Sequence, residues 1–152
     1  SYDPVNNTWS SMTATGAPST RDQHHLVWTG GRALVWGGSA GSSTYRGDGA
    51  LYNPNTNTWA AISSTGAPAA RQFSSPGIFV NGKYFVFGGS DAMGALGSAA
   101  LYDAVSNTWS NVSSVGKPGA RNGYMVAHDG LRIYVWGGLN PSPLNDGAVY
   151  LP

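Results

Sequence analysis

Two histidines stand side by side, His24 and His25, with a third, His128, far along the chain. Imidazoles bind metals or move protons when their spacing lets them converge. Adjacent residues on a strand point to opposite faces, so His24 and His25 cannot grip one ion together. The acidic residues are seven aspartates, Asp3, Asp22, Asp48, Asp91, Asp103, Asp129 and Asp146, with no glutamate. Asp3 and Asp103 fall in turn sequences, where Asp accepts backbone hydrogen bonds, and Asp129 falls in a hairpin turn. Asp48, Asp91 and Asp146 lie in related connections; a glycosidase would need two such carboxylates about 5–10 Å apart. No motif brings them together, and an enzyme built on them requires a cluster near one axis with raised pKa values. Arg21, Arg71 and Arg121 recur after Pro18, Pro68 and Pro118. Such recurrence argues for an architectural task, such as bonding loop carbonyls; an arginine ring reading acidic ligands is the functional alternative. Cysteine is absent, which removes thiol nucleophiles, zinc–thiolate sites and disulfides. No nucleophile elbow, phosphate loop or calcium loop occurs, so neither a cofactor nor a catalytic residue is expected.

The elements that must position these side chains belong to a repeat. Val35–Gly38 reads VWGG, Val86–Gly89 reads VFGG and Val135–Gly138 reads VWGG. YDPVNNTW at Tyr2–Trp9 returns as YNPNTNTW at Tyr52–Trp59 and YDAVSNTW at Tyr102–Trp109, 50 residues apart each time. GAPSTR, GAPAAR and GKPGAR begin at Gly16, Gly66 and Gly116. The glycine pairs are 51 and then 49 residues apart, which marks one residue inserted before Gly88 and one lost later.

Each period reads as four short strands. The first covers His24–Trp28, Ser74–Val80 and Tyr124–His128. The second covers Ala33–Trp36, Tyr84–Phe87 and Ile133–Trp136, apolar at almost every position, as suits a strand buried on both faces. The third covers Ala50–Tyr52, Ala99–Tyr102 and Ala148–Tyr150. The fourth covers Thr8–Met12, Thr58–Ile62 and Thr108–Val112. TGGR, VNGK and HDGL read as hairpin turns between the first and second strands. Pro76 cannot donate to a ladder, so its strand belongs at a sheet edge. No window shows a helical period with caps.

Four strands per unit, a glycine pair after an aromatic, and a tryptophan after a tyrosine-bearing strand resemble the kelch repeat over the whole chain. The motif here is R…VWGG…LYNP…NTW, with Phe87 in place of a tryptophan and Asp103-Ala104 where a proline is usual. The resemblance implies an all-β fold, a kelch-type β-propeller of which this chain supplies three four-stranded blades. The copper site of galactose-oxidase-like propellers uses a Cys–Tyr crosslink, which a chain without cysteine cannot form. Physical reasoning points the same way: a small sheet with two apolar faces is stable only when other sheets cover both. Trp9, Trp59 and Trp109 are then expected to pack between blades.

The repeats run approximately 21–62, 71–112 and 121–152, the last completed by 1–12. Propellers close with 4–8 blades, so three are half of a six-bladed ring or a piece of a longer one. The expected partner is therefore another copy of the chain or further blades of the same chain. Tyr2 and Tyr150 occupy the same phase, which leans towards the piece.

Composition bounds the remaining functions. Apolar residues make up 41% and charged residues 10%, so the chain is globular. The net charge of +1, with no basic block, gives no footprint for nucleic acid. No apolar run is long enough for membrane insertion as a helix. Where the repeats disagree, a ligand has room to be chosen. The connections from fourth to first strand carry Asp22-Gln23, Gln72-Phe73 and Asn122-Gly123; the longer ones between second and third carry Tyr45, Arg46, Asp91, Met93, Asn140 and Asn145. Divergent loops on a repeated frame suit a non-catalytic scaffold that binds protein or glycan along one rim. A structural module without a ligand is the rival, and a carbohydrate-acting propeller enzyme the third reading. The Ser/Thr/Asn/Gly-rich style resembles secreted bacterial kelch proteins, which implies an extracellular or cell-surface location.

Overall fold

The computed structural model describes residues 1–41 and 43–152. Its elements follow from the turn chemistry and the apolar runs. A hairpin of β1 (Tyr2–Asp3) and β2 (Thr8–Trp9) opens the chain. The first blade contains β3 (His25–Trp28), β4 (Ala33–Trp36), β5 (Gly49–Asn53) and β6 (Thr58–Ala61) in that spatial order. The second contains β7 (Ile78–Val80) and β8 (Lys83–Phe87). A small hairpin, β9 (Ser90–Asp91) and β10 (Gly94–Ala95), precedes its outer strands β11 (Ala99–Asp103) and β12 (Thr108–Asn111). The third contains β13 (Met125–His128), β14 (Ile133–Trp136) and β15 (Gly147–Tyr150). All neighbouring strands are antiparallel. Among the described residues no helix forms.

The registers place equivalent residues in rows across each blade. Val27, Leu34 and Leu51 form one row, matched by Ile78, Phe85 and Leu101 in the second blade. These rows, with Trp36 and Phe87 beside them, are the forward faces of the first two blades. Each forward face packs on the back face of the next blade. Val27, Leu34, Trp36 and Leu51 meet Tyr84, Val86 and Tyr102 in one buried cluster. Phe85, Phe87 and Leu101 meet Tyr124, Ile133 and Val135 in another. The second blade is therefore covered on both faces and holds the core, where each buried large side chain is worth roughly 1.5–3 kcal/mol. On the third blade the same forward face carries Met125, Trp136 and Val149, which are exposed, Trp136 by 62%. At the other end Leu26 and Trp28 leave the back face of the first blade partly bare.

Two strand expectations and one packing expectation are corrected. Ser74–Gly77 is not strand; β7 begins at Ile78. Pro76 breaks the ladder, and Gly77 lies so close to β3 that a Cβ there would come within 2.7 Å of Val27. The fourth strand expected at Thr8–Met12 ends at Trp9, opposite Tyr2 of β1. Trp9 does not pack between blades: it is 80% exposed. Trp109 does, with its ring centroid 5.3 Å from that of Trp36. Trp59 is half-buried, and its indole N–H donates to the Thr13 carbonyl at 2.9 Å.

Candidate functional site

The rim begins with the arginines. Arg21 Nη1 donates to the carbonyls of Gly37 and Asp48, Arg71 Nη1 to those of Gly88 and Ser98, and Arg121 Nη1 to those of Gly137 and Asp146. Each Nε donates to the carbonyl two residues back, at Ser19, Ala69 or Gly119. A guanidinium has five donors in a rigid fork, so one side chain ties together both ends of the long connection between the second and third strands. Arg71 and Arg121 are fully buried, and this rules out an arginine ring open to acidic ligands. The architectural expectation is the one the structure bears out.

The frame continues between blades. Gly38 N–H donates to Arg71 O at 2.8 Å, and Gly89 N–H to Arg121 O at 3.0 Å. Both glycines have positive φ, 102° and 87°, and a Cβ on Gly89 would come within 2.6 Å of Gln72 O. Phe73 N–H donates to Gln23 O at 2.8 Å, and Ser74 N–H to Asn122 Oδ1 at 3.2 Å. Short bridges Asp22–Ser39, Gln72–Ser90 and Asn122–Leu139 extend the blades into the rim.

On this frame the expected site residues separate. Asp22, Gln23, Met93, Asn140 and Asn145 are exposed, Met93 by 94%. Tyr45, Arg46, Gln72, Asp91 and Asn122 are half-buried. Asp91 Oδ1 accepts the Met93 N–H within its hairpin at 2.8 Å, and Asn122 Nδ2 donates to Ser74 and Ser90. Asn140 Nδ2 donates to Ala120 O at 2.9 Å, fixing one side of its loop. Ser42, in the loop carrying Tyr45, lies outside the described residues.

Phe73 is a correction. It is buried in the core, stacked on the His25 ring at 3.5 Å between centroids. The chain is not a regular strand there, so strict alternation of faces does not place it. His25 is buried as well, its Nδ1 hydrogen-bonded to the Tyr84 hydroxyl at 2.7 Å, and burial pushes its pKa down to about 3. His24 is half-buried on the rim side, with its pKa lowered by burial and by Arg21.

Sequence reasoning missed Leu139. It is exposed on the rim at the position that Ser39 and Ser90 occupy in the other blades. The switch from two serines to a leucine at one phase was the available signal.

A carboxylate centre does not assemble. Asp48 is paired with Arg21 at 2.9 Å, and Asp146 with Arg121 at 3.0 Å, each within its own blade. The Asp146 carboxyl is held below the usual range by its hydrogen bond from Arg121. A general acid needs the opposite shift. The rim thus presents small polar and apolar side chains on a backbone that is hydrogen-bonded from blade to blade.

A family model described as the KLHDC2/KLHL20/DRC7 Kelch-repeats domain matches residues 1–152. No curated protein matches the chain. Kelch domains are in general protein-interaction scaffolds and generally non-catalytic. The antiparallel blades, the arginine-tied loops and the match over the full length together make this chain a member of the kelch-repeat family, a segment of a kelch β-propeller.

Proposed function

We propose that the rim bearing Asp22, Gln23, Met93, Leu139, Asn140 and Asn145 is the ligand-binding surface, and that its ligand is a protein. One observation carries this reading: backbone atoms of the rim are hydrogen-bonded from blade to blade, while the side chains exposed on it differ in every repeat. Rigid frames lower the entropy lost on binding, and variable side chains set the choice of partner. Gln23 adds support. It is a non-glycine residue at φ 49°, whereas the equivalent position in the third blade is Gly123 at φ 62°. Left-handed backbone at a side-chain-bearing residue costs roughly 1–2 kcal/mol, and such strain collects at functional positions.

The test is affinity capture with the 152-residue chain, followed by crosslinking to map the contact. Asp22→Ala with Met93→Ala and Leu139→Ala should abolish capture of the partner. Val105→Ala with Leu131→Ala, exposed residues of turns between strands, should leave it intact. Equal capture by both variants contradicts a rim site. Binding only on a glycan array, with no protein captured, would move the ligand to the sugar class.

A further inference from the structure

The turns at the other end of the strands, away from the rim, carry a row of cations. Arg32, Lys83 and Arg132 each follow the turn between the first and second strands of a blade. Two of them stand beside an acid. Lys83 Nζ is 3.0 Å from Asp103 Oδ2, and the two residues pair across β8 and β11. Arg132 has its pKa raised by a hydrogen bond with Tyr134 and by the Asp129 carboxylate. In the first blade the place of Asp103 falls to Asn53, which follows Tyr52 as Asp103 follows Tyr102. Asn53 Oδ1 accepts the Asn55 N–H at 2.9 Å and brings no charge. Among the described residues, Arg32 therefore has no ion-pair partner. Its backbone is nonetheless fixed: Arg32 N–H donates to Thr29 Oγ1 at 3.2 Å, and Arg32 O accepts the Thr29 N–H at 2.9 Å.

The exposed Arg32 side chain lines a groove between the first and second blades. Phe79 and Ala104 line it too, half-buried, and pack beneath on the buried cluster that joins these blades. Val105 stands at its edge, 94% exposed. Gly31 and Gly82 leave the groove open, since a Cβ on either would meet nothing within 4 Å. The cavity volume is about 430 Å³, within the roughly 300–1,000 Å³ of small-molecule sites. The charge of Arg32 is felt across the groove: burial and Asp103 raise the Tyr102 pKa, and Arg32 opposes them.

We infer that this groove binds a small carboxylate with an apolar body, the carboxylate on Arg32 and the body against Phe79, Ala104 and Val105. A guanidinium fork matches the two oxygens of a carboxylate. One unpaired cation suits a single negative charge better than a doubly charged phosphate. Asp103 does not oppose the ligand, because Lys83 already neutralises it. The apolar body covers side chains that otherwise face water, which favours binding in proportion to the area removed from solvent. The groove and the rim lie at opposite ends of the strands, so this site stands or falls apart from the rim proposal.

Phenylbutyrate tests the site by amide NMR titration of the 152-residue chain. Saturable shifts are expected at Arg32, Gly82 and Val105, with none at Met93 or Asn140 on the rim. The dissociation constant should be on the order of 1 mM, as for a small ligand in an open groove. Arg32→Gln should weaken binding about tenfold or more, the loss of a charge-assisted hydrogen bond. Arg132→Gln, at the same place in the third blade, should leave it unchanged. Phenylbutanol, with the same body and no charge, should bind the wild type no better than phenylbutyrate binds Arg32→Gln. Val105→Ser should weaken acid and alcohol alike. No shifts at the groove, equal binding of acid and alcohol, or binding indifferent to Arg32→Gln overturns the inference.

Discussion

Arg71 Nη2 reaches Ser98 Oγ at 2.8 Å, at the place where Arg21 and Arg121 reach the carboxylates of Asp48 and Asp146. The second blade alone carries a buried guanidinium at this place with a neutral partner. Burial lowers the Arg71 pKa, the expected cost of a charge kept from water. Ser98→Asp should therefore raise the thermal midpoint, and the gain should shrink in 1 M salt. Arg71→Met should cost about 3–5 kcal/mol, since it strands the carbonyls of Ala69, Gly88 and Ser98. Denaturant melts of both variants check the pair of expectations.

His25 makes stability depend on pH. Its pKa is about 3 when folded, against about 6.5 in the unfolded chain. Between those values the unfolded state binds more protons, so stability is full above about pH 6.5 and falls as pH drops towards 3. His25→Gln should flatten this slope between pH 6.5 and 4.5, at the cost of some packing on Phe73. Asp103 and Asp129, held at about 2 chiefly by backbone N–H bonds from Ser106 and Arg132, act below that window. Urea titrations at pH 6.5, 5.5 and 4.5 on wild type and variant isolate the histidine.

Asn107 combines a left-handed backbone, φ 56°, with a side chain that accepts from Tyr102 and from Ser63 N–H. Asn107→Gly keeps the backbone and loses the bonds, and should cost about 1–2 kcal/mol. Asn107→Ala adds strain and should cost roughly 1–2 kcal/mol more. A ladder in that order, read by equilibrium unfolding, separates the two roles.

These three sites also show what could be read in advance. β4 and β14 were legible to the residue, because each is a short apolar run closed by a glycine pair. The arginine role was legible because it recurs. Phe73 was not: its neighbours Gln72 and Ser74 are on the rim, and only the irregular path after Arg71 turns it inward. Nor was the hook of Asn107 onto Ser63, because an asparagine in a turn already has a local reason to be there. The exposure of Trp9 depends on which sheet lies beside it, which no local pattern records.

Gln23 offers a trade between stability and recognition. Gln23→Gly relieves the left-handed backbone and should raise stability by roughly 1 kcal/mol. The same change removes a rim side chain and should weaken ligand capture. A variant that is stabler and binds as well as wild type would take Gln23 out of the site.

Hydrogen exchange at limiting dilution tests the arrangement of blades most directly. At limiting dilution β8 and β11, covered on both faces, should exchange slowest, and β13, β15 and the β1–β2 hairpin much faster. End blades as protected as the middle one would contradict the account.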